Sequence, residues 1–369
     1  MRIAFYGSSL LSAYWNGAAT YYRGLLHALA ARGHDITFYE PDAFDRQAHR
    51  DIEPPDWARV VVYEATPAAM SRAVEEGSGA DLLVKASGVG IFDAELEAAV
   101  LAARRPGALA VFWDVDAPAT LDAIARSPSH HLRALVPRYD MVMTYGGGQP
   151  VVDAYRALGA RDCVPVYNAL DPATHHPVPR QAEFAADLTF LGNRLPDREA
   201  RVEAFFLEPA ARLPERRFLI GGNGWQDKPM PPNVRRLGHV YTADHNALNC
   251  SALAVLNINR ESMARYGFSP PTRIFEAAGA GACIISDAWE GVGLFLEPGR
   301  EILVAKDGGE VAELLSGLDE AAGRRIGEAA RRRVLAEHSY AHRAALVEAV
   351  LSGRDAPVGA APERSLKAG

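Results

Sequence analysis

The chain has 369 residues, more than one usual domain, which predicts two domains of about 150 to 200 residues each. Apolar residues make up 49% and charged residues 23% of the sequence, a composition that is typical of a folded globular protein and excludes a largely disordered one. The formal net charge of -7 offers no basic surface for duplex nucleic acid, so an anionic ligand would have to meet a local cluster of basic residues.

Three cysteines, Cys163, Cys250 and Cys283, are widely separated and lack the spacing of a metal site or a disulfide framework, which predicts a reducing, cytoplasmic environment. No apolar run approaches the ~20 residues of a membrane span, and the chain enters a strand directly after its first residue. We therefore expect neither secretion nor an integral membrane segment. Residues 353–369 are rich in Ala, Pro and Gly and are predicted to form a flexible tail.

Strand-like apolar runs alternate with helical patterns through the first half of the chain. Strands are predicted at 3–6, 35–39, 60–64, 81–84, 109–113 and 141–144, and helices at 18–31 and from 67 and 94 onward. This alternation is typical of a parallel sheet covered by helices. Residues 1–170 are therefore predicted to form an N-terminal Rossmann-like domain.

The alternation restarts after a segment with Pro and His residues, which predicts a linker at 171–186. Strands are predicted at 187–191, 218–220, 253–258 and 282–286, and helices at 197–213, from 242 onward and at 269–281. Residues 187–338 are thus predicted as a second Rossmann-like domain, and 339–352 as a helix that packs back on the first. The predicted fold class is α/β, with two doubly wound parallel sheets that face a cleft lined by the carboxyl ends of their strands.

Loops of small residues follow two strands of the first domain. Gly7, Ser8, Asn16 and Gly17 lie between the first strand and its helix, and Tyr145 opens a Gly-rich loop after the strand at 141–144. Because the spacing G-x-G-x-x-G is missing, a dinucleotide-binding loop is not predicted. These residues are candidates for contact with an acceptor substrate in the cleft, and ordinary turn formation is the alternative.

Two carboxylates, Asp114 and Asp116, follow the strand at 109–113. At a strand end in the cleft, a carboxylate can act as a general base, and two carboxylates separated by one residue can also hold a divalent cation. For Asp116 the alternative is a helix N-cap ahead of Pro118. Asp114 has less structural reason for its position.

Glycines and polar residues also end the strands of the second domain. Arginine can bind phosphate oxygens through paired hydrogen bonds, and glycine lets the backbone approach a ligand closely. The candidate donor-binding residues at these strand ends are Gly192, Asn193, Arg194, Gly222, Asn223, Trp225, Tyr241 and Asn257. We interpret Arg198, which begins the next helix, as an ordinary surface residue that forms ion pairs.

Residues 269–287 combine a helix start, a helix with a buried face and an apolar strand. Ser269 and the proline after it suit the N-cap and the first helical position. The free N–H groups and the dipole of such a helix start can bind an anion, which adds Thr272, Arg273 and Glu276 to the candidates. The alternative is a packing helix with a salt bridge on its surface.

The motifs of the second half, taken in order, resemble the CgeB-like branch of the glycosyl transferases group 1 family. The resemblance rests on the Gly-Asn-Arg, Gly-Asn-Gly-Trp, Leu-Asn-Ile-Asn-Arg and Ser-Pro-Pro-Thr-Arg-x-Phe-Glu-Ala segments, and it extends to Trp-Asp-Val-Asp-Ala-Pro in the first half. It implies the two-domain architecture called GT-B, in which the first domain binds the acceptor and the second binds a nucleotide sugar.

The resemblance also implies roles for single residues. It assigns Glu276 to the ribose hydroxyls of the donor, the neighbouring helix start to the diphosphate, and Arg194 to neutralising the leaving diphosphate. Many relatives carry a further glutamate eight positions earlier, where this chain has Phe268, so the sugar contact and the stereochemical outcome stay open. In this architecture a helix dipole and arginine usually replace the metal, so no metal or other cofactor is expected, and Asp114 is the preferred general base.

The sequence therefore predicts a cytoplasmic glycosyltransferase of the hexosyltransferase type (EC 2.4). It would move a sugar from a nucleotide diphosphate donor, preferably a UDP-sugar, to a hydroxyl acceptor, and no nucleic acid is expected as a partner. Two alternatives stay open. One is an epimerase or hydrolase of the same architecture, which acts on the nucleotide sugar without an acceptor. The other is a non-catalytic protein that binds sugar nucleotides or glycans.

Overall fold

The computed structural model describes residues 1–14 and 16–353. The chain forms two compact units: the first comprises Met1–Asn168 and a C-terminal segment that begins at Arg343, and the second comprises Ala169–His342. The segment predicted as a linker, 171–186, is part of the second unit. The predicted tail, 353–369, lies outside the described residues apart from its first residue.

The first unit contains one parallel sheet of seven strands. Their bounds are β1 (Arg2–Tyr6), β2 (Asp35–Asp42), β3 (Ala58–Glu64), β4 (Leu82–Ala86), β5 (Leu109–Asp114), β6 (Met141–Thr144) and β7 (Cys163–Pro165). The order across the sheet is β3-β2-β1-β4-β5-β6-β7. Every residue of β4, including Lys85, is buried, because helices cover both faces of a parallel sheet.

Helices of the first unit follow the strands. They are α1 (Ala19–Ala30), α2 (Pro67–Gly77), α3 (Asp93–Ala103), α4 (Ala117–Arg126), α5 (Leu132–Leu135) and α6 (Gly148–Ala157), with 3-10 turns at Arg46–His49 and Val136–Arg138. Helix α2 shows how local sequence sets a helix start. The Thr66 side chain accepts a hydrogen bond of 3.2 Å from the N–H of Ala69, and Pro67 occupies the first helical position.

The second unit repeats this design with a parallel sheet of six strands. Their bounds are β8 (Ala186–Leu191), β9 (Phe218–Gly221), β10 (Val234–Gly238), β11 (Ala252–Asn257), β12 (Ile284–Asp287) and β13 (Leu303–Ala305), in the order β10-β9-β8-β11-β12-β13. The first helices are α7 (Glu199–Val202), α8 (Glu208–Arg212), α9 (Thr242–Ser251), α10 (Glu261–Tyr266) and α11 (Thr272–Gly279). They are followed by α12 (Gly308–Gly317), α13 (Glu320–Glu337) and α14 (Tyr340–Leu351), the last of which crosses the boundary between the units, and 3-10 turns lie at Ala182–Phe184 and Val292–Leu294.

Two helices of the second unit differ from the sequence prediction. The helix predicted at 197–213 is divided, since one π-helical turn at Glu203–Leu207 separates α7 from α8. The helix predicted to begin at Ser269 begins instead at Thr272, with Pro271 as its N-cap and no side chain that caps it. The extended backbone before α11 follows from the two consecutive prolines, because a residue that precedes proline disfavours the helical conformation.

Both sheets are doubly wound, which confirms the predicted fold class. The strand order reverses between β1 and β4 in the first sheet and between β8 and β11 in the second. Open parallel sheets bind ligands at the carboxyl ends of the strands beside such a switch point. No helix in the described part of the chain combines the length and the apolar character that a membrane crossing requires.

Candidate functional site

The switch point of the second sheet gathers three arginines from different segments. Arg198 is the N-cap of α7 after β8, Arg260 is the N-cap of α10 after β11, and Arg273 is the second residue of α11. Arg273 and Arg260 both lie close enough to Arg198 to depress the pKa of its guanidinium. The edge of the sheet therefore carries a concentration of positive charge in a chain whose net charge is -7.

Part of the positive charge at this edge is balanced by carboxylates. Arg260 Nε donates a hydrogen bond of 2.7 Å to Asp197 Oδ2. Arg201, in α7, donates one of 2.6 Å to Asp287 Oδ2, and this aspartate is fully buried at the end of β12. These two ion pairs fix the loops after β8 and β11 to their neighbours.

Arg198 and Arg273 have no such partner: within residues 1–14 and 16–353, no carboxylate oxygen forms a salt bridge with either guanidinium. Burial, followed by the charges of Arg273 and Arg260, lowers the pKa of Arg198 to about 10. Burial also lowers the pKa of Arg273, and the nearby Glu276 opposes this effect. Two partly desolvated cations face one another here, an arrangement that an incoming anion would relieve.

Buried polar atoms at the same edge also lack partners. Arg198 Nε, Asn259 Nδ2 and Ser269 Oγ are buried and have no hydrogen-bond partner in the part of the chain that the structure describes. The first N–H groups of α11 have no side-chain cap either. Because most buried polar groups in folded proteins are paired, this set of donors indicates a site for a ligand rich in acceptor oxygens.

Glycines bring the backbone close to this cluster. A β-carbon at Gly192 would lie 2.9 Å from the guanidinium of Arg198. A β-carbon at Gly222, whose φ is +114°, would lie 2.3 Å from the carbonyl oxygen of Gly192. Gly222 therefore requires glycine, and the loop after β9 lies directly on the loop after β8.

Glu276 lies one turn into α11, half-buried and close to Arg273. Its carboxylate and one ring nitrogen each of His175 and His245 all lie within 4.8 Å of one another. The helix thus presents N–H groups and an arginine at its start and a carboxylate one turn later.

Arg194, which the resemblance assigns to the leaving diphosphate, forms ion pairs with two carboxylates. It donates hydrogen bonds of 2.7 Å to Glu199 and 3.0 Å to Asp227. The hydrogen bond with Glu199 raises the pKa of Arg194, and Arg194 in turn lowers the pKa of Glu199 to about 2. Since both carboxylates would have to be displaced by a phosphate, Arg194 serves here to hold the loops after β8 and β9 together.

Three further predicted donor residues also join these loops. Asn193 Oδ1 accepts a hydrogen bond of 2.9 Å from the N–H of Asn223. Trp225, predicted as an aromatic wall, is only 2% exposed and packs in the core of the second unit, while its Nε1 donates to the carbonyl of Gly192 at 2.7 Å. These three residues therefore hold the loops after β8 and β9 against each other through hydrogen bonds within the protein.

The other predicted donor residues are spread over the same edge. Asn257 is buried at the end of β11 and donates a hydrogen bond of 3.0 Å to Ser286 Oγ. Tyr241 is 69% exposed, and its ring stands edge-on to that of His239 at 4.6 Å between centroids. Thr272 is half-buried at the first position of α11.

Phe268 adopts a backbone conformation that is rare for a residue with a side chain, with φ at +45°. Its N–H donates a hydrogen bond of 2.6 Å to the carbonyl of Glu290, and its ring lies so close to Gly291 that a β-carbon there would be 2.4 Å from it. The ring therefore packs against the backbone after β12, and this position supplies no carboxylate.

In the first unit, Asp114 is completely buried. It accepts hydrogen bonds from Ser87 Oγ at 2.7 Å, Thr120 Oγ1 at 3.0 Å, the N–H of Asp116 at 3.1 Å and the hydroxyl of Tyr155. Burial raises the pKa of Asp114 although these bonds oppose the shift. Asp114 is thus shielded from solvent, whereas Asp116 is half-buried and its side chain does not cap α4.

The loop after β1 is held by its own hydrogen bonds. Ser8 Oγ donates to Asn16 Oδ1 at 2.9 Å, and the Asn16 amide donates to two carbonyl groups of the same loop. Gly7 packs against the ring of Phe38, whereas a β-carbon at Gly17 would meet nothing within 4 Å. Ser8 and Asn16 are thus held in place by hydrogen bonds within the loop, and contact with an acceptor stays a prediction.

Sequence reasoning missed Arg198, His175 and His245 as site residues. One signal for Arg198 was available: a basic residue at a helix N-cap opposes the helix dipole, which favours acidic residues there. Such an unfavourable position indicates that an anion compensates it. The two histidines gave no signal, because they are 70 residues apart in the chain.

Residues 198–349 match the sequence model of a family described as glycosyl transferase-like. This part of the chain is therefore similar to the glycosyl transferase-like family. The match begins at Arg198 and contains Arg273 and Glu276, so the arginine cluster lies inside the glycosyl transferase-like region. The family prediction is thereby confirmed, while the CgeB-like branch stays a prediction. No curated protein gives a significant match to the chain.

Solved structures of GT-B glycosyltransferases have the same fold. Anabaena HepE in complex with UDP and glucose matches with a TM-score of 0.66 at 15% identity, over 96% of this chain and 100% of that one. Sucrose-phosphate synthase from Thermosynechococcus elongatus matches with 0.68 at 15% identity, over 96% and 98%. An α-glucosyltransferase in complex with UDP and a 13-mer DNA matches with 0.65 at 13% identity, over 92% and 96%.

Proposed function

We propose that the protein is a glycosyltransferase that moves a sugar from a UDP-sugar to a hydroxyl group of an acceptor. The observation that carries this proposal is the pair Arg198 and Arg273, two partly buried guanidinium groups without a carboxylate partner beside the uncapped start of α11. A diphosphate supplies the negative charge and the acceptor oxygens that this edge lacks.

The same pair suits the chemistry of glycosyl transfer. Negative charge grows on the diphosphate as its bond to the sugar breaks, so cations already in place stabilise the transition state more than the bound donor. We assign this role to Arg198 and Arg273 instead of Arg194, whose guanidinium is engaged by Glu199 and Asp227.

Glu276 is proposed to accept hydrogen bonds from the ribose hydroxyls. It lies on the same helix as Arg273, one turn further from the helix start, and is half-buried, so that a nucleoside beside the diphosphate can reach it. UDP is the preferred nucleotide because HepE and the α-glucosyltransferase were both solved with UDP.

The first unit is proposed to bind the acceptor, with Asp116 as the general base that removes the proton of the attacking hydroxyl. One structural relative holds DNA, but the net charge of -7 makes a nucleic acid acceptor unfavourable here. Neither a metal nor an organic cofactor is required in this proposal, because the arginines and the start of α11 meet the diphosphate. The three free cysteines support a reducing, cytoplasmic location.

The proposal is tested first by thermal unfolding in the presence of UDP, GDP, dTDP and their sugars. A ligand that binds only the folded protein raises the melting temperature in proportion to its affinity, so UDP and one UDP-sugar should give the largest shifts. A response to GDP or dTDP alone would overturn the choice of nucleotide, and no response to any of them would overturn the site.

Turnover then separates glycosyl transfer from its alternatives. Transfer of the sugar to a member of an acceptor panel supports the proposal. Release or isomerisation of the sugar without an acceptor would identify a hydrolase or an epimerase. Tight binding without turnover on any acceptor would identify a binding protein, in keeping with the absence of a carboxylate at Phe268.

A further inference from the structure

Three segments of the second unit bring two imidazoles and a carboxylate together. His175 lies in the segment before β8, His245 in α9 and Glu276 in α11. One ring nitrogen of each histidine and one oxygen of the glutamate all lie within 4.8 Å of one another. Two histidines and one glutamate form a ligand set that transition metals such as zinc bind readily.

Helix α9 fixes the backbone on both sides of His175. The side chain of Asn246, the neighbour of His245, donates a hydrogen bond of 2.8 Å to the carbonyl of Thr174 and accepts one of 3.3 Å from the N–H of His176. His245 is itself part of α9, and its neighbour Asn246 holds the segment that carries His175, so α9 positions both histidines. This contact does not depend on a ligand.

Helix α11 holds the same segment from the other side. A β-carbon at Gly279 would lie 2.9 Å from the carbonyl oxygen of His175 and 2.3 Å from the side chain of Leu170. The segment can therefore lie directly on α11 only because residue 279 has no side chain. This close contact places His175 beside Glu276, which is less than one turn earlier on the helix.

One side chain of the cluster has a buried nitrogen without a partner among the described residues. His175 is 4% exposed, and its Nε2 has no hydrogen-bond partner among the described residues. A buried polar atom without a partner lowers stability, and a metal ion would satisfy it. His245 and Glu276 are both half-buried, so the cluster stays open to solvent on one side.

We infer that His175, His245 and Glu276 form a binding site for a divalent transition metal of the zinc class. Three protein ligands leave one position of a tetrahedral ion for water or another small ligand. Zinc bonds nitrogen and oxygen ligands at about 2.0–2.2 Å, so small rotations of side chains that already lie within 4.8 Å bring them into coordination. The site goes beyond the proposed glycosyl transfer, for which no metal is required, and a metal bound there would compete with the ribose hydroxyls for Glu276.

The test uses the full-length protein after treatment with a chelator and in the absence of any nucleotide. Co²⁺ is titrated as a spectroscopic probe and Zn²⁺ by calorimetry. We expect one tight Co²⁺ per chain with the intense visible absorption of a tetrahedral ion. His175→Ala, His245→Gln and Glu276→Gln should each weaken binding about tenfold or more, as removal of a ligand does.

His176→Ala is the matched control, since His176 is the exposed neighbour of His175, and it is its backbone N–H, not its ring, that donates to Asn246. It should bind Co²⁺ and Zn²⁺ as the wild type does. Unfolding curves in chelator show which variants are folded, and His245→Gln and Glu276→Gln keep the test valid if His175→Ala does not fold. Wild-type affinity within twofold in the folded ligand variants, or an equal loss in His176→Ala, would overturn the inference. Because nucleotide is absent, the outcome is separate from that of the UDP experiments.

Discussion

Replacement of Arg198 by methionine tests the proposed diphosphate site most directly. Methionine keeps a long, flexible side chain but removes the charge and all guanidinium donors. Arg198 has no ion pair that the substitution would break, and its Nε has no hydrogen-bond partner in the described chain. We therefore expect a loss of ligand affinity without a loss of folding.

The expected loss of affinity follows from the strength of hydrogen bonds to charged groups. Such bonds contribute about 1.5–3 kcal/mol each. Since every 1.4 kcal/mol changes a binding constant tenfold, the Kd for UDP should rise about 10-fold to 150-fold in Arg198→Met.

The protein without ligand should become slightly more stable. The depression of the Arg198 pKa from 12.5 to about 10 corresponds to an upper limit of about 3 kcal/mol of unfavourable free energy for the charged form. The guanidinium is partly exposed, and solvent screening reduces this value, so we expect a gain of about 1 kcal/mol in unfolding free energy. Methionine removes both the buried charge and its repulsion by Arg273.

Calorimetry with UDP and thermal shifts with uridine separate the two ends of the nucleotide. Arg198→Met should lose affinity for UDP but keep its response to uridine, which has no phosphate. Arg212→Met is the matched control, because Arg212 pairs with Glu208 on the exposed side of α8. A Kd for UDP within twofold of wild type in Arg198→Met, or an equal loss in the control, would refute the assignment.

Three further predictions concern single carboxylates. Glu276→Gln should weaken the binding of both UDP and uridine, with a Kd for UDP about 10-fold or more above wild type, and should leave the unfolding midpoint unchanged. If calorimetry gives wild-type affinity for the folded variant, Glu276 is not part of the site. Asp114→Asn should lower the unfolding free energy, measured by denaturant titration, by about 1–3 kcal/mol, because it disturbs a buried and fully hydrogen-bonded carboxylate. Asp116→Asn should stay folded and lose at least about 100-fold in turnover. The reverse pattern would identify Asp114 as the general base. Glu348→Gln should cost about 0.5–1 kcal/mol at pH 7, since the hydrogen bond from Arg32 lowers the pKa of Glu348. The difference from wild type should begin to shrink as pH falls below the unfolded carboxyl value of 4.5 and vanish only once pH is below the lowered pKa of Glu348 in the folded protein. A difference that persists at still lower pH would contradict this.

Much of the fold could be predicted from local sequence. The strand at 141–144 was predicted with its observed bounds, and most others to within one or two residues, because buried parallel strands are short apolar runs between turn residues. The start of α11 was misplaced by three residues, since Ser269 suits a helix cap but precedes two prolines. The π-helical turn at Glu203–Leu207 has no local signal, as its residues fit an ordinary helix.

The region of the candidate site could also be predicted, because parallel strands present the residues after them at one edge of the sheet. The roles of single residues within it could not. Arg194 and Arg198 lie four positions apart in the same segment, yet only Arg194 forms an ion pair with Asp227, which is 33 positions away. The sequence places Asp114 at a strand end, where we expected it to be accessible in the cleft. In the structure it is buried, and the hydroxyl of Tyr155, 41 residues later, donates a hydrogen bond to it.

The sequence by itself determined two doubly wound parallel sheets, glycines and polar residues at the strand ends, and a helix that starts close to Ser269. These features depend on periodicity and on the conformational preferences of neighbouring residues. Only the tertiary structure decided that Arg198 and Arg273 form no salt bridge with any residue that the structure describes, that Asp114 is buried and hydrogen-bonded, and that His175 and His245 lie beside Glu276. Charge pairing, burial and side-chain clusters depend on distances between residues that are remote in the chain, and local sequence contains no information about those distances.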